Sequence, residues 1–172
     1  MNLFLISGKA GSGKNEVAML IKRRLSKTVI TSFSKYIKLF ALELTDWDGR
    51  DFDKPRVFLQ EMGDKLRAID EDFLTKRIVE DLEVYRREGI DNVIISDCRL
   101  IHELEYFKAL NKVNVYTIRV NCDKSSRNLN SDEKNHHTEV ELDNYDFFDF
   151  VIDNKFDDKL EKDVLEMLKG LK

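Results

Sequence analysis

The chain has 172 residues, the span of one domain, and is long enough to bury a core without disulfide or metal staples. Hydrophobic residues make up 42% and charged residues 36%, which excludes a disordered chain and a membrane-embedded one. Lys plus Arg number 29 against 33 Asp plus Glu, a net charge of −4, which argues against a protein that grips nucleic acid through a broad basic face. The two cysteines, Cys98 and Cys122, are too few for a disulfide framework and suit a reducing compartment.

Residues 3–7 (LFLIS) form a short apolar run stopped by Gly8, the pattern of a buried strand. A helix follows over 14–26, with Val17, Leu20, Ile21 and Leu25 on one face. The β-branched run 28–33 (TVITSF) predicts a second strand, and Ser34 an N-cap for a helix over 35–44. The polar stretch 45–53 reads as a turn. Pro55 suits a first helical position, and 56–68 carries Phe58, Met62 and Leu66 at helical spacing. A further helix spans 71–87 and stops at Gly89. Residues 92–97 predict a third strand, 101–110 a helix, 114–120 a fourth strand and 149–153 a fifth. Leu160, Val164, Met167, Leu168 and Leu171 place a last amphipathic helix after it.

Alternating strands and helices with no repeat or composition break predict one α/β domain over 1–172. It would be three-layered, with a five-stranded parallel sheet in the order 2-3-1-4-5. Two connections exceed a plain crossover: 34–91 reads as an inserted acceptor-binding module, and 121–144 as a mobile, partly helical lid. No apolar run approaches the roughly 18 residues of a membrane span, and the apolar start lacks a signal-peptide pattern. The expectation is a cytoplasmic protein without membrane or nucleic-acid contacts, a monomer or homodimer.

Gly8-Lys9-Ala10-Gly11-Ser12-Gly13-Lys14-Asn15 carries the strongest chemical signal. It matches G-x-x-x-x-G-K directly after a strand and before a helix, the context that a phosphate-binding loop requires. The glycines let the N–H groups of the loop, Ala10 and Ser12 among them, converge on phosphate oxygens, and Lys14 adds a point charge. Position 15 is Asn, where Ser or Thr would place a hydroxyl on Mg²⁺; its amide oxygen is the corresponding candidate ligand. Asp97 closes the third strand, beside the loop in such a sheet, and is the second candidate for Mg²⁺. Arg99, Arg119 and Arg127 are candidate donors to the charge of a transferring phosphoryl group.

Other features read more plainly. His136 and His137 are adjacent, so their side chains should diverge, which argues against a metal site. Cys98 reads as a small buried residue. Asn154-Lys155-Phe156-Asp157 matches N-K-x-D, a guanine-reading motif of GTPases. The partner D-x-x-G is absent, since Leu100 follows Arg99, so the segment reads as a strand exit and helix cap.

The chain resembles the bacteriophage-type deoxynucleoside monophosphate kinases, within the wider nucleoside monophosphate kinase group. The resemblance covers nearly the whole length. It rests on LFLISGKAGSGKN, FSKYIK, RVFLQEMGDKLRAIDEDF, ISDCRLIHE, and HHTEVELD followed by FDFVIDN, in that order. It implies a P-loop fold that moves the γ-phosphoryl of ATP to a deoxynucleoside monophosphate with Mg²⁺. Gly11, Gly13, Lys14 and Asn15 would then hold ATP phosphates and metal, and Asp97 and Arg99 would match the family's D-x-R. Ser34, Lys38, Gln60 and Arg67 would lie along the acceptor nucleotide. Glu139 would belong to the lid pattern H-x-[ST]-E that starts at His136. Animal-type phosphomevalonate kinases are also similar at ISDCR and the lid, which implies a small phosphorylated alcohol as the alternative acceptor. A non-catalytic nucleotide-binding partner protein is the remaining alternative, with Asn15 marking weakened metal use.

Overall fold

A computed structural model of the chain describes residues 1–122 and 136–171. Five strands form one sheet: β1 (Asn2–Ser7), β2 (Thr28–Thr31), β3 (Asn92–Cys98), β4 (Asn114–Asn121) and β5 (Phe150–Asp153). The helices are α1 (Lys14–Arg24), α2 (Lys35–Leu44), α3 (Arg56–Ile69), α4 (Phe73–Arg87), α5 (Ile101–Lys108), α6 (His137–Val140) and α7 (Lys159–Lys169). Short 3₁₀ turns cover Asp51–Asp53 and Glu141–Asn144. The strand order is β2-β3-β1-β4-β5, and every pairing is parallel, as the sequence predicts.

The period-two alternation of strand side chains sorts the core into two layers. Leu3 and Leu5 of β1, with Val93 and Ile95 of β3, pack on one face against Ile37 of α2, Leu74, Ile78 and Leu82 of α4, and Leu104 and Phe107 of α5. Phe4 and Ile6, with Ile94, pack on the other face against Val17 and Ile21 of α1 and Leu160, Val164 and Met167 of α7. Helices on both faces make this a three-layer fold of the P-loop type. Among the described residues no helix is long and apolar enough to cross a membrane.

Several boundaries move, each for a local reason. β2 ends at Thr31, because the N–H groups of Phe33 and Ser34 turn to the carboxylate of Asp97. Pro55 stands one position before α3. The β1–β3 register slips between Leu5 and Ser7, so that Ser7 pairs with Cys98; this bulge lies at the sheet edge where the phosphate loop begins. The proposed module 34–91 contains α2, α3 and α4. Of the proposed lid, 123–135 lie outside the described residues, and so does Arg127.

Candidate functional site

β1 runs into the loop Gly8–Gly13, and α1 leaves it. Gly13 sits at φ +97°, and a Cβ there would lie 2.1 Å from Asn154 Nδ2. Asn154 follows β5, is 2% exposed, and donates from Nδ2 to the Ser12 carbonyl at 3.0 Å. Its Oδ1 accepts the Phe156 N–H at 2.8 Å. Asp157 Oδ1 accepts the Lys159 N–H at 3.1 Å, at the start of α7. The N-K-x-D match therefore does more than leave a strand: its Asn braces the phosphate loop, and its Asp closes a turn just before the N-cap, Asp158, rather than forming the cap itself.

Lys14 stands at the first position of α1 and folds back, donating from Nζ to the carbonyls of Gly8 at 2.6 Å and Lys9 at 2.9 Å. Burial, followed by the nearby Arg99 charge, lowers its pKa to about 7. The loop borders a cleft of about 350 Å³ whose far wall is built from α2, α3 and the turn between them. Ala10, Gly11, Lys14, Asn15, Ser34, Lys38, Gln60, Arg67, Asp97, Arg99 and Glu139, all candidates from the sequence, line this one space. Gly8, Ser12 and Gly13 shape the loop without lining the cleft.

The cleft also contains residues that the sequence reading did not single out. Lys54 and Arg56, either side of Pro55, line it together with Phe33 and Thr138. Burial first, then Lys38, lowers the Lys54 pKa to about 8. A polar turn rich in acids hides these two cations in the sequence; only the fold turns them inward. Six cations face three carboxylates, Asp51, Asp97 and Glu139, across the space. Asp51 lies 3.8 Å from Lys54 Nζ, and the other two carboxylates accept hydrogen bonds.

Asp97 is one of them. Its Oδ1 accepts the Phe33 N–H at 2.8 Å; its Oδ2 accepts the Ser34 N–H at 3.0 Å and the Ser34 hydroxyl at 2.6 Å. The Ser34 side chain therefore locks onto β3 and does not cap α2 as expected. Glu139 is the other. It forms an ion pair with Arg99, and its Oε2 accepts the Ala10 N–H at 3.2 Å. It thus reaches the Gly8–Gly13 loop as well as lining the cleft.

Arg67 reaches the opposite end of the cleft from α3. Nη2 lies 3.3 Å from Glu103 Oε1, and Nη1 lies 3.8 Å from Asp64 Oδ1. Gly63, one turn earlier, leaves room for it: a Cβ there would lie 2.9 Å from Nη1. Glu103 is 1% exposed, and its other oxygen accepts the N–H groups of Arg99 at 2.8 Å and Leu100 at 3.1 Å. Burial raises its pKa while the Arg67 charge opposes the rise. Arg67 Nε is buried and, among the described residues, has no hydrogen-bond partner.

Arg119 stands outside the cleft lining, yet its charge adds to burial and the Arg99 charge in lowering the Lys14 pKa. β4 places it beyond the loop, where Nη1 donates to Ser7 Oγ at 3.1 Å and Nη2 pairs with Asp143 at 2.9 Å. Asp143 also pairs with Lys9 at 2.7 Å. Arg119 thus braces the loop and the 3₁₀ turn and does not line the cleft. Cys98 is fully buried, and burial raises its thiol pKa well above the ordinary range, in keeping with a packing role. His136 and His137 also correct the expectation. Their side chains converge, with both Nε2 atoms on Asp64 at 3.1 and 2.9 Å. The backbone turn at the start of α6 brings the two rings to 4.6 Å of each other.

No known protein-family model matches the chain. Over 121 residues, 70% of its length, it is 31% identical to UPF0200 proteins of Saccharolobus islandicus and Saccharolobus solfataricus. The matched stretch spans 57% of the length of these relatives, little more than half. Their names state no activity. A P-loop-type α/β sheet agrees with the sequence motif, and the cleft is the basis for a functional reading.

Proposed function

We propose that the chain transfers the γ-phosphoryl group of ATP to a (deoxy)nucleoside monophosphate. One observation carries the reading: a phosphate loop and Arg67, whose Nε has no partner among the described residues, line the same strongly cationic cleft. The charge asks for a polyanion, and phosphoryl transfer is catalysed largely by positioning and electrostatic stabilisation.

Donor phosphates would take the loop N–H groups, with Lys14 released from the loop carbonyls. Arg99 would exchange Glu139 for phosphate oxygens. Arg67, with Lys38, would hold the acceptor phosphate, and Gln60 would lie along the base or sugar. A guanidinium suits a phosphate because two parallel N–H donors match two oxygens. An oxygen of the acceptor phosphate attacks the γ-phosphorus; the bond from that phosphorus to the β–γ bridging oxygen breaks, and ADP leaves with the electron pair.

The donor set fits Mg²⁺ held mainly by ATP. Asn15 and Asp97 offer an amide and a carboxylate oxygen on the cleft, and nucleotide phosphates and waters would supply the rest. When bound, Mg²⁺ would neutralise charge on the phosphate oxygens. A cytoplasmic setting, where ATP and reduced thiols coexist, belongs to the same proposal.

The test is ATP consumption with a panel of deoxynucleoside and ribonucleoside monophosphates and phosphomevalonate. Turnover with a monophosphate nucleotide supports the reading. Turnover with phosphomevalonate alone moves it to the other acceptor class. Nucleotide binding without turnover on any acceptor leaves a non-catalytic binding protein. Lys14→Ala should cost about 2–4 kcal/mol of barrier, the scale of losing one preorganised donor.

A further inference from the structure

Two of the chain's three histidines meet one aspartate across a gap in sequence of some seventy residues. Asp64 lies on α3, one turn before Arg67; His136 and His137 open α6. We infer that Asp64, His136 and His137 form a Zn²⁺-type site that ties α6 to α3. This goes beyond phosphoryl transfer and does not depend on it.

The geometry comes first. His136 Nε2 lies 3.1 Å from Asp64 Oδ2, His137 Nε2 lies 2.9 Å from Oδ1, and the potential ligand atoms all lie within 4.8 Å of one another. Tetrahedral Zn²⁺ with bonds of about 2.0–2.1 Å sets its ligands about 3.3 Å apart, so small movements would seat the ion. Two imidazoles and one carboxylate favour a borderline transition metal over Mg²⁺. Three protein ligands leave a fourth position for water.

The surroundings supply a second, independent argument. Both ring nitrogens of His137 face carboxylates: Nδ1 lies 3.8 Å from Glu141 Oε2. A neutral imidazole carries one N–H, so it satisfies only one of them. If Nδ1–H is directed to Glu141, Nε2 faces Asp64, and either a metal ion or a second ring proton can lie between them. Glu141 is itself anchored, because its Oε1 accepts the Ile101 N–H at 2.8 Å. At 3.8 Å Glu141 is not hydrogen-bonded to the ring; a small approach would make it the outer carboxylate that orients a metal-bound histidine. On His136, Nδ1 lies 2.9 Å from the Thr138 hydroxyl and accepts the Thr138 N–H at 3.4 Å, so ligation through Nε2 would shift the ring proton to Nδ1, directed at that hydroxyl. The three ligating side chains are 21–50% exposed, so an ion can enter from solvent.

The site has a structural consequence for the cleft. Thr138 and Glu139 follow the histidines directly and line the cleft, as does Arg67. An ion at Asp64 would fasten the helix that bears Glu139 to the helix that bears Arg67.

The experiment uses full-length, metal-stripped Cys122→Ser protein without nucleotide. Zn²⁺ is titrated against a chromophoric chelator, and Co²⁺ is titrated with visible absorption. The expected result is one Zn²⁺ per chain and intense Co²⁺ bands of a four-coordinate site. His137→Ala and Asp64→Asn should each weaken Zn²⁺ at least tenfold. Glu141→Gln, which leaves the ligands in place, should weaken it roughly tenfold or more. Zn²⁺ uptake that is absent, or equal in the parent and the Asp64→Asn and His137→Ala variants, overturns the site and leaves a hydrogen-bonded histidine–aspartate clamp. Because no nucleotide is present, failure here is separate from failure of the kinase reading.

Discussion

The Glu139 carboxylate accepts the Ala10 N–H of the phosphate loop at 3.2 Å and pairs with Arg99 at the same time. An anion from the polypeptide thus occupies a loop donor and a cleft guanidinium that a phosphate would need. On the proposed function, entry of nucleotide would require Glu139 to withdraw. Glu139→Ala should therefore bind pyrophosphate more tightly, on the order of tenfold or about 1.4 kcal/mol. Calorimetric titration of both proteins checks this. Equal or weaker binding by the variant would assign Glu139 to holding Arg99 in shape.

Nucleotide binding should take up protons. Lys14 titrates at about 7 and Lys54 at about 8 in the free protein, both below the ordinary 10.5 and chiefly because of burial. Between these values and 10.5 the folded protein binds fewer protons than the unfolded chain, so its stability rises with pH across that window. A bound polyphosphate reverses the shift by favouring the charged lysines. At pH 8.5, calorimetry in buffers of different ionisation enthalpy should show uptake of between about one and two protons per ATP. Lys14→Met should remove roughly one of them. Proton release on binding would contradict the assignment.

Asn154 should matter to both stability and nucleotide affinity. Removing its bond to the Ser12 carbonyl strands a buried acceptor, so Asn154→Ala should cost about 1–3 kcal/mol in urea unfolding. Gly13→Ala forces φ strain and a clash with Asn154 Nδ2, and should cost roughly 2 kcal/mol or more. The double variant should cost less than the sum, since truncating Asn154 relieves the clash. Strict additivity would mean that the two do not touch in solution.

Arg67→Lys should separate the two ends of the cleft. It keeps a positive charge but loses the fork that Glu103 orients. Acceptor affinity should fall about tenfold while ATP affinity stays within twofold, roughly 1.4 against 0.4 kcal/mol. Equal losses in both would place Arg67 in the scaffold.

The sheet and the strand–loop–helix turn at Gly8–Gly13 were legible in the amino-acid sequence because their signals are local. Alternating Leu3, Phe4, Leu5 and Ile6 serve two core layers, and G-x-x-x-x-G-K after a strand leaves the chain few other conformations. Strand order followed from right-handed crossovers and from the need to bring Lys14 and Asp97 to one edge. Boundaries were less clear where a distant group competes for the backbone, as Asp97 does for Phe33 and Ser34.

Tertiary structure alone decided what each polar side chain meets. Arg119 turned to Ser7 and Asp143, while Lys54 and Arg56 turned into the cleft; no periodicity distinguishes these cations. Asn154 came to Ser12, Glu139 to Ala10, and the histidine pair to Asp64. Each contact joins segments far apart in sequence whose approach is fixed by sheet closure and helix packing. Hydrophobic pattern specifies those packed layers, but a hydrogen bond depends on ångström-scale placement at their edges, and that placement exists only after the layers have assembled.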